Sequence, residues 1–386
     1  MRILQVLRAP VGGLFRHVRD LATHQATLGH QVGVLVDVTA FDSLTEERLR
    51  TLEPHLALGL HRTEIARGLA ASDVTGARRT RSLALELGVD IVHGHGAKGG
   101  AFARLATGRG APFVSFYTPH GGSLNYKRGT AQAAVFMGLE RLLAGRTGGI
   151  VFESAYSREV FYRRVGRNLC RDRVIHNGLL PEEFGAHDPA PDARDLVFIG
   201  ELRPIKGVDV LLRAMAEIHK VRPVSAVIVG EGPNSADLKG LASELGLLDC
   251  VTFPGALPAQ RALTLGRAIA VPSRAESFPY VCLEAAARGV PMISTDVGGI
   301  GEIVAGTSTR LIPSDDVAAL AGAITDVLDD PLAARLRALE LQARAKQRFS
   351  VDTMTSEILA FYDAVRSTMT GVSRNETVAA SETPRG

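Results

Sequence analysis

The sequence predicts an α/β fold of two similar doubly wound domains in series. Three observations predict it. Short apolar runs alternate with amphipathic stretches along the 386 residues. The apolar runs are continuous rather than alternating, so their strands are covered on both faces, as in a parallel sheet. The strand–helix pattern then restarts after a polar, proline-bearing connection, Asp188-Pro-Ala-Pro-Asp192, which marks a second domain of the same class.

In the first domain, 1–187, residues 3–7 read as a buried strand, Gly12-Gly13 as the turn after it, and the chain to about Leu28 as a helix. Strands follow at 32–38, 91–93, 112–117 and 149–152, with helices at 98–106, 131–144 and 154–164. In the second domain, 188–348, strands are predicted at 196–199, 226–229, 250–253, 268–271 and 292–294. Helices are predicted there at 208–220, 235–245 and 283–288. Beyond Asp315 the chain turns helical, at 317–328, 332–349 and 351–365. Segment 349–366 is read as a separate C-terminal helix, and 367–386, polar and aperiodic, as a disordered tail.

Composition narrows the function. Hydrophobic residues are 46% and charged residues 22%, the balance of an ordinary globular protein. Cys170, Cys250 and Cys282 lie far apart with no CxxC, which excludes a disulfide framework or a zinc finger. The opening MRILQVLRAPVGG is broken by Arg8 and Pro10 before it can serve as a signal peptide. No apolar run is long enough to span a bilayer, so a cytoplasmic location is expected. Residues 1–187 carry 24 Lys and Arg against 16 Asp and Glu, and residues 188–386 carry 20 against 25. The basic half favours anionic partners such as phosphates or a lipid surface; nucleic acid is not expected.

The candidate chemistry lies at predicted strand ends. Gly12-Gly13 offers bare amides at a helix start, suited to a phosphate or a sugar, although a plain tight turn reads equally well. Arg203 and Lys206 stand three residues apart between a strand and a helix, a spacing that suits a diphosphate. Gly230-Glu-Gly232-Pro233 ends the next strand, where glycines admit a base or ribose; here too a turn alone would suffice. Glu276 sits in the loop after strand 268–271, and Glu284 on the following helix, in Ser273-Arg-Ala-Glu276-Ser-Phe278-Pro279-Tyr280-Val281-Cys-Leu-Glu284. Two carboxylates so placed can each hold vicinal hydroxyls. Gly298-Gly299 is a further strand–helix turn. His120, in Thr-Pro-His120-Gly121, sits past a strand and is expected to titrate near neutrality. His93-Gly-His95 lacks carboxylate or cysteine company and is read as structural. Ser154, Asp315-Asp316 and Asp329-Asp330 read as helix N-caps. No Asp-x-Asp occurs, so no metal site is expected.

Taken together, these motifs resemble family 4 of the retaining glycosyltransferases, with the GT-B fold. Ile175-His-Asn177-Gly178, Phe152-x-Ser154 and Phe253-x-Gly255 fall in the matching order. The resemblance implies two Rossmann-like domains facing across a cleft, with the C-terminal helix crossing back to the first. It implies transfer of a hexosyl unit from a UDP- or GDP-linked sugar, with retention and without metal or cofactor. Arg203 and Lys206 would neutralise the donor diphosphate, Glu284 would hold the ribose, and Glu276 with the Phe278–Val281 turn would hold the sugar. Gly13 would approach the donor phosphate or the acceptor, and His120 the sugar hydroxyls. Gly230, Gly232 and Pro233 would frame the base. Arg16, His17, Asn125, Tyr126 and Lys127 fall at acceptor positions and suit a glycan or polyprenyl-diphosphate-linked glycan, as in cell-surface polysaccharide synthesis. Pro279 departs from the family's pattern, because it removes a backbone donor from the turn. The run 157–173, with six arginines, suits contact with an anionic inner leaflet or a solvated face. The competing readings are a GT-B nucleotide-sugar epimerase and a non-catalytic two-domain sugar-binding protein.

Overall fold

The computed structural model describes residues 1–37, 43–65, 72–108, 110–121 and 129–379; for Ser43, Leu44, Gln132 and 369–379 it describes the backbone. The chain divides into two compact units. Unit 1 holds Met1–His176 and the chain from Val351, and unit 2 holds Asn177–Ser350.

Unit 1 runs β1 (Arg2–Leu7), α1 (Gly12–Thr27), β2 (Gln31–Asp37), α2 (Ser43–Leu52), β3 (Leu60–Thr63), α3 (Ser72–Glu86), β4 (Ile91–His95), α4 (Gly96–Ala106), β5 (Val114–Thr118), α5 (Ala131–Ala144), β6 (Gly149–Phe152), α6 (Ala155–Arg164) and β7 (Arg171–Val174). Its seven strands form a parallel sheet in the order β3-β2-β1-β4-β5-β6-β7. Ile3 on β1 lies opposite both Val32 and Ile91. Every residue of β4 and β5 is buried, as continuous apolar runs require of a doubly covered sheet.

Unit 2 runs β8 (Arg194–Ile199), α7 (Val208–His219), β9 (Ala226–Val229), α8 (Ser235–Glu244), β10 (Val251–Gly255), α9 (Ala259–Leu263), β11 (Gly266–Val271), α10 (Tyr280–Arg288), β12 (Met292–Thr295), α11 (Ile300–Val304), β13 (Leu311–Ile312), α12 (Val317–Asp329) and α13 (Pro331–Arg348). Its six strands are also parallel, in the order β10-β9-β8-β11-β12-β13. In both sheets the winding reverses beside the first strand, between β1 and β4 and between β8 and β11. Loops at the carboxyl ends of strands diverge there, and open α/β sheets bind ligands at such points.

The predicted fold class is the observed one. The elements that sequence reading missed are mostly edge or short ones. β3 and β7 close the two edges of the unit 1 sheet and are only partly buried, and β13 has two residues. An edge strand exposes one side and loses its apolar signature. The arginine run spans α6, predicted as a helix at 154–164, and the edge strand β7. Several of its cations have partners inside unit 1: Arg167 binds Glu159 at 2.9 Å and lies 4.7 Å over the Tyr162 ring, and Arg173 lies over Phe361.

The unit boundary falls at His176/Asn177, ahead of the 188–192 connection, because Asn177 and Leu179 already bond to unit 2: Asn177 Nδ2 donates to Phe278 O, and Leu179 N to Phe349 O. The last helix, α14 (Val351–Ala379), belongs to unit 1. It is tied there by His24–Asp352 at 2.7 Å, Arg366–Asp90 at 2.7 Å and the Phe361 and Tyr362 rings against Phe116. The helix continues to Ala379, through most of the segment expected to be disordered. No proline interrupts the sequence between Pro331 and Pro384, so the hydrogen-bond ladder has no forced stop. Among the described residues no helix is long and apolar enough to cross a membrane.

A charged pair is buried in the core of unit 1. Arg104 on α4 is fully buried, with Nη1 2.7 Å from Glu140 Oε2, Nε donating to Gly100 O, and the guanidinium 3.9 Å over the Tyr117 ring. Tyr117 Oη donates to Glu140 Oε1 at 3.1 Å. Removing one partner strands the other charge in the core. Glu140→Ala should therefore lower unfolding stability by about 3–5 kcal/mol, while the apolar double variant Arg104→Met/Glu140→Leu should recover most of it. Denaturant titration checks both, and equal losses in the two variants would contradict the account.

Candidate functional site

In unit 2 the site is built from the segments that leave β8 and β11. After β8, Arg203 opens a 3₁₀ turn, Pro204–Lys206, and Gly207 carries the chain into α7 with φ +68°. A Cβ on Gly207 would fall 2.0 Å from Pro272 O, so only glycine lets this segment approach the loop after β11. That approach brings Lys206 Nζ to 2.6 Å from Glu276 Oε1. Ser273 Oγ donates to the same oxygen at 2.7 Å, and Ser273 O accepts from Thr295 Oγ1 at 2.6 Å. Gly298 is needed in the same way: a Cβ there would meet Glu276 O at 1.7 Å.

Arg274 braces the two loops. Its backbone N–H donates to Ile205 O at 2.8 Å, and its Nη1 donates to Pro204 O. Both terminal nitrogens bind Asp209 at 2.9 Å, and Nε binds Asp315 at 2.6 Å. Burial opposes ionisation of Asp209, yet hydrogen bonds from Arg274 and Arg213 hold its carboxyl below the usual range. The sequence alone assigns Arg274 no role. An arginine two residues before a candidate carboxylate was the only available signal.

The other predicted donor residues divide by exposure. Arg203 is half exposed, with only a 3.5 Å contact to Glu201. Glu284 is partly buried on α10, and Pro233 is exposed. The Phe278 and Tyr280 side chains are buried in the unit 2 core, Phe278 packing edge-on to Phe349. Gly230 and Gly232 lie against the protein's own backbone: a Cβ would meet Gly200 O at 1.8 Å and Leu202 O at 2.4 Å respectively. Close packing of neighbouring strand-end loops therefore accounts for both glycines.

In unit 1 four histidines converge. His93 and His95 end β4 on the same face, His120 follows β5, and His17 lies on α1. His95 Nε2 bonds Gln5 Oε1 at 2.8 Å, and Gln5 Nε2 donates to Gln25 Oε1 at 2.9 Å. The other nitrogen, His95 Nδ1, lies 3.2 Å from His120 Nε2. His93 is held by Tyr362 Oη at 2.5 Å and Thr118 Oγ1 at 2.8 Å. The His17 ring stands 4.8 Å from that of His120 and 5.5 Å from that of His95. Burial, and then the neighbouring imidazoles, push His93, His95 and His120 well below the ordinary histidine range. His120 is thus neutral at pH 7, not poised near neutrality as its sequence context predicts. It takes a left-handed backbone, φ +49°, rare outside glycine.

His95 is a member of this cluster that sequence reading set aside as structural; the His-x-His spacing was the available signal. Arg16 is turned to the buried Asp20, 3.4 Å away, with Arg19 on the same carboxylate. Gly13 is exposed in the first turn of α1. Asn125, Tyr126 and Lys127 lie outside the described residues. Ser154, Asp316 and Asp330 cap α6, α12 and α13 as predicted. Asp315 and Asp329 instead pair with Arg274 and Arg222.

Comparison with known proteins agrees with this architecture. Residues 181–348 match the family Glycosyl transferases group 1, and residues 11–183 match Glycosyltransferase Family 4. The chain is 29% identical to a glycogen synthase of Mycobacterium tuberculosis over 95% of both chains. It is 29% identical to the D-inositol 3-phosphate glycosyltransferase of Acidothermus cellulolyticus, over 91% of this chain and 85% of that one. Among solved structures, Anabaena HepE in complex with UDP superposes with TM-score 0.76 at 21% identity, covering 94% of this chain and all of HepE. Sucrose-phosphate synthase from Thermosynechococcus elongatus gives 0.74 at 21%, over 98% of this chain and all of that one. With a family 4 match over unit 1 and a group 1 match over unit 2, this chain belongs to the GT-B glycosyltransferases.

Proposed function

We propose that the protein transfers a hexosyl unit from a nucleoside diphosphate sugar, UDP- or GDP-linked, to a hydroxyl of a glycan or lipid-linked glycan, with retention at the anomeric carbon. Unit 2 binds the donor. The observation that carries this reading is the Lys206–Glu276 pair, braced by Arg274 at the β8/β11 switch point beside the half-exposed Arg203. A diphosphate offers Lys206 a second anion, and the Glu276 carboxylate can then accept hydrogen bonds from sugar hydroxyls. Glu284 is assigned to the ribose. In the reaction the bond from the anomeric carbon to the phosphate oxygen breaks, and a bond to the acceptor oxygen forms on the same face. The acceptor proton goes to a departing phosphate oxygen. Arg203 and Lys206 stabilise the charge that develops on the diphosphate, which leaves no step that needs a resident metal or cofactor.

Unit 1 takes the acceptor, with Arg16 and His17 on α1 and with Asn125, Tyr126 and Lys127. His120 is assigned to sugar hydroxyls, as a neutral hydrogen-bonding group. HepE has been solved with UDP and with UDP-glucose, which supports a UDP donor. Glycogen synthase and D-inositol 3-phosphate glycosyltransferase among the relatives support a hydroxyl acceptor. The net positive first half supports an acceptor carrying phosphate and a peripheral site on the inner leaflet, within cell-surface polysaccharide synthesis.

A thermal-shift screen with UDP, GDP and ADP tests the donor assignment. A nucleotide at about 100 times its Kd should add about 2.7 kcal/mol, raising the melting point by several degrees. That shift should vanish in Lys206→Ala and Glu284→Ala variants that still fold; no shift with any nucleotide would remove the donor reading. Lys206→Ala should also lower kcat/KM for the responding nucleotide sugar by about 10²–10³-fold. Arg274→Ala should weaken nucleotide binding about tenfold through its lost charge-assisted hydrogen bonds, worth about 1.5–3 kcal/mol, as isothermal titration would show.

A further inference from the structure

We propose that His17, His95 and His120 form a binding site for one divalent transition-metal ion, with Zn²⁺ as the test case. One ring nitrogen from each of the three lies within 4.8 Å of the others. Three imidazole nitrogens around Zn²⁺ at about 2.0–2.1 Å in tetrahedral geometry lie about 3.3 Å apart. The pair His95 Nδ1 and His120 Nε2, at 3.2 Å, already has that spacing. His17 has to close the rest of the distance by rotating its ring on α1.

The surroundings are those of a metal-ligating histidine. His95 Nε2 is bonded to Gln5 Oε1, and Gln5 is itself fixed by Gln25. This relay makes Nε2 the donor and leaves Nδ1 as the acceptor that faces His120 Nε2, as outer partners fix the tautomer of ligating imidazoles. The ligands come from a helix, a strand end and the turn after a strand, which hold them more firmly than one flexible loop would. His120 is only partly buried, so one of the three ligands meets solvent. A set of three nitrogens with no carboxylate or thiolate selects Zn²⁺, Ni²⁺ or Cu²⁺ and rejects Mg²⁺ and Ca²⁺. A bound ion would occupy His120, so on the function proposed above Zn²⁺ acts as an inhibitor of transfer. That consequence rests on the transferase reading, whereas the binding does not.

The test uses the full chain stripped of metal. Zn²⁺ is titrated in competition with a chromophoric chelator, and Co²⁺ is substituted to read its visible d–d bands. One ion per chain is expected, with tetrahedral Co²⁺ absorption and no competition from Mg²⁺. Affinity should fall at least tenfold in His17→Ala and in His120→Asn, and about 10–100-fold in the outer-partner variant Gln5→Leu. Circular dichroism verifies folding, and His120→Asn, at the partly exposed position, keeps the test open should a buried variant fail to fold. Absence of stoichiometric binding, or undiminished binding in folded His120→Asn, would overturn the proposal. Zn²⁺ binding in a protein that binds no nucleotide would leave the metal site standing and remove only its inhibitory consequence.

Discussion

The geometry of unit 2 depends on one ion pair placed where two loops are forced together. Lys206 and Glu276 come from segments 70 residues apart and meet at 2.6 Å. They meet because Gly207 and Gly298 remove the side chains that would hold the loops apart, and because Arg274 bonds the Lys206 turn through two carbonyls. An ammonium and a carboxylate partly withdrawn from water need each other or a ligand that replaces one of them. A nucleoside diphosphate sugar supplies both replacements: phosphate for the cation and hydroxyls for the carboxylate. The pair thus ties the two loops together, and on the function proposed above it holds both groups where the donor would meet them.

Much of this fold was legible because its central strands are buried on both faces. Runs such as 226–229 and 149–152 carry no alternation that could mislead, and they appear as strands with the predicted bounds. Three of the four edge strands, β3, β7 and β13, were not legible, whereas β10 at the fourth edge was predicted at 250–253. β7, Arg171–Val174, has the sequence RDRV, and it counts as a strand only through its ladder with β6. The tail shows the converse. Its polar sequence lacks an apolar period, yet nothing in it stops a helix already under way, and α14 runs on to Ala379.

The candidate site was legible in part, for a related reason. Lys206, Glu276 and Glu284 stand in short local motifs at strand ends, where one chain segment announces the chemistry. Arg274 acts on carbonyls and carboxylates remote in sequence, Pro204, Asp209 and Asp315, and only the fold brings these together. The histidine cluster is a stronger case. His-x-His alone lacks a ligand set. The sheet order β1-β4-β5 sets Gln5, His93, His95 and the chain leading to His120 side by side, and α1 adds His17. That neighbourhood also lowers His120 below the near-neutral titration expected of it, since burial and then the adjacent imidazoles disfavour another positive charge.

The most direct test of the central claim is a crystal structure of the full chain with the nucleoside diphosphate that it binds. The account predicts the diphosphate within hydrogen-bond reach of Lys206 and Arg203, with Glu276 released from Lys206 and free to accept from a sugar. A diphosphate bound elsewhere, with the Lys206–Glu276 pair intact, would contradict it.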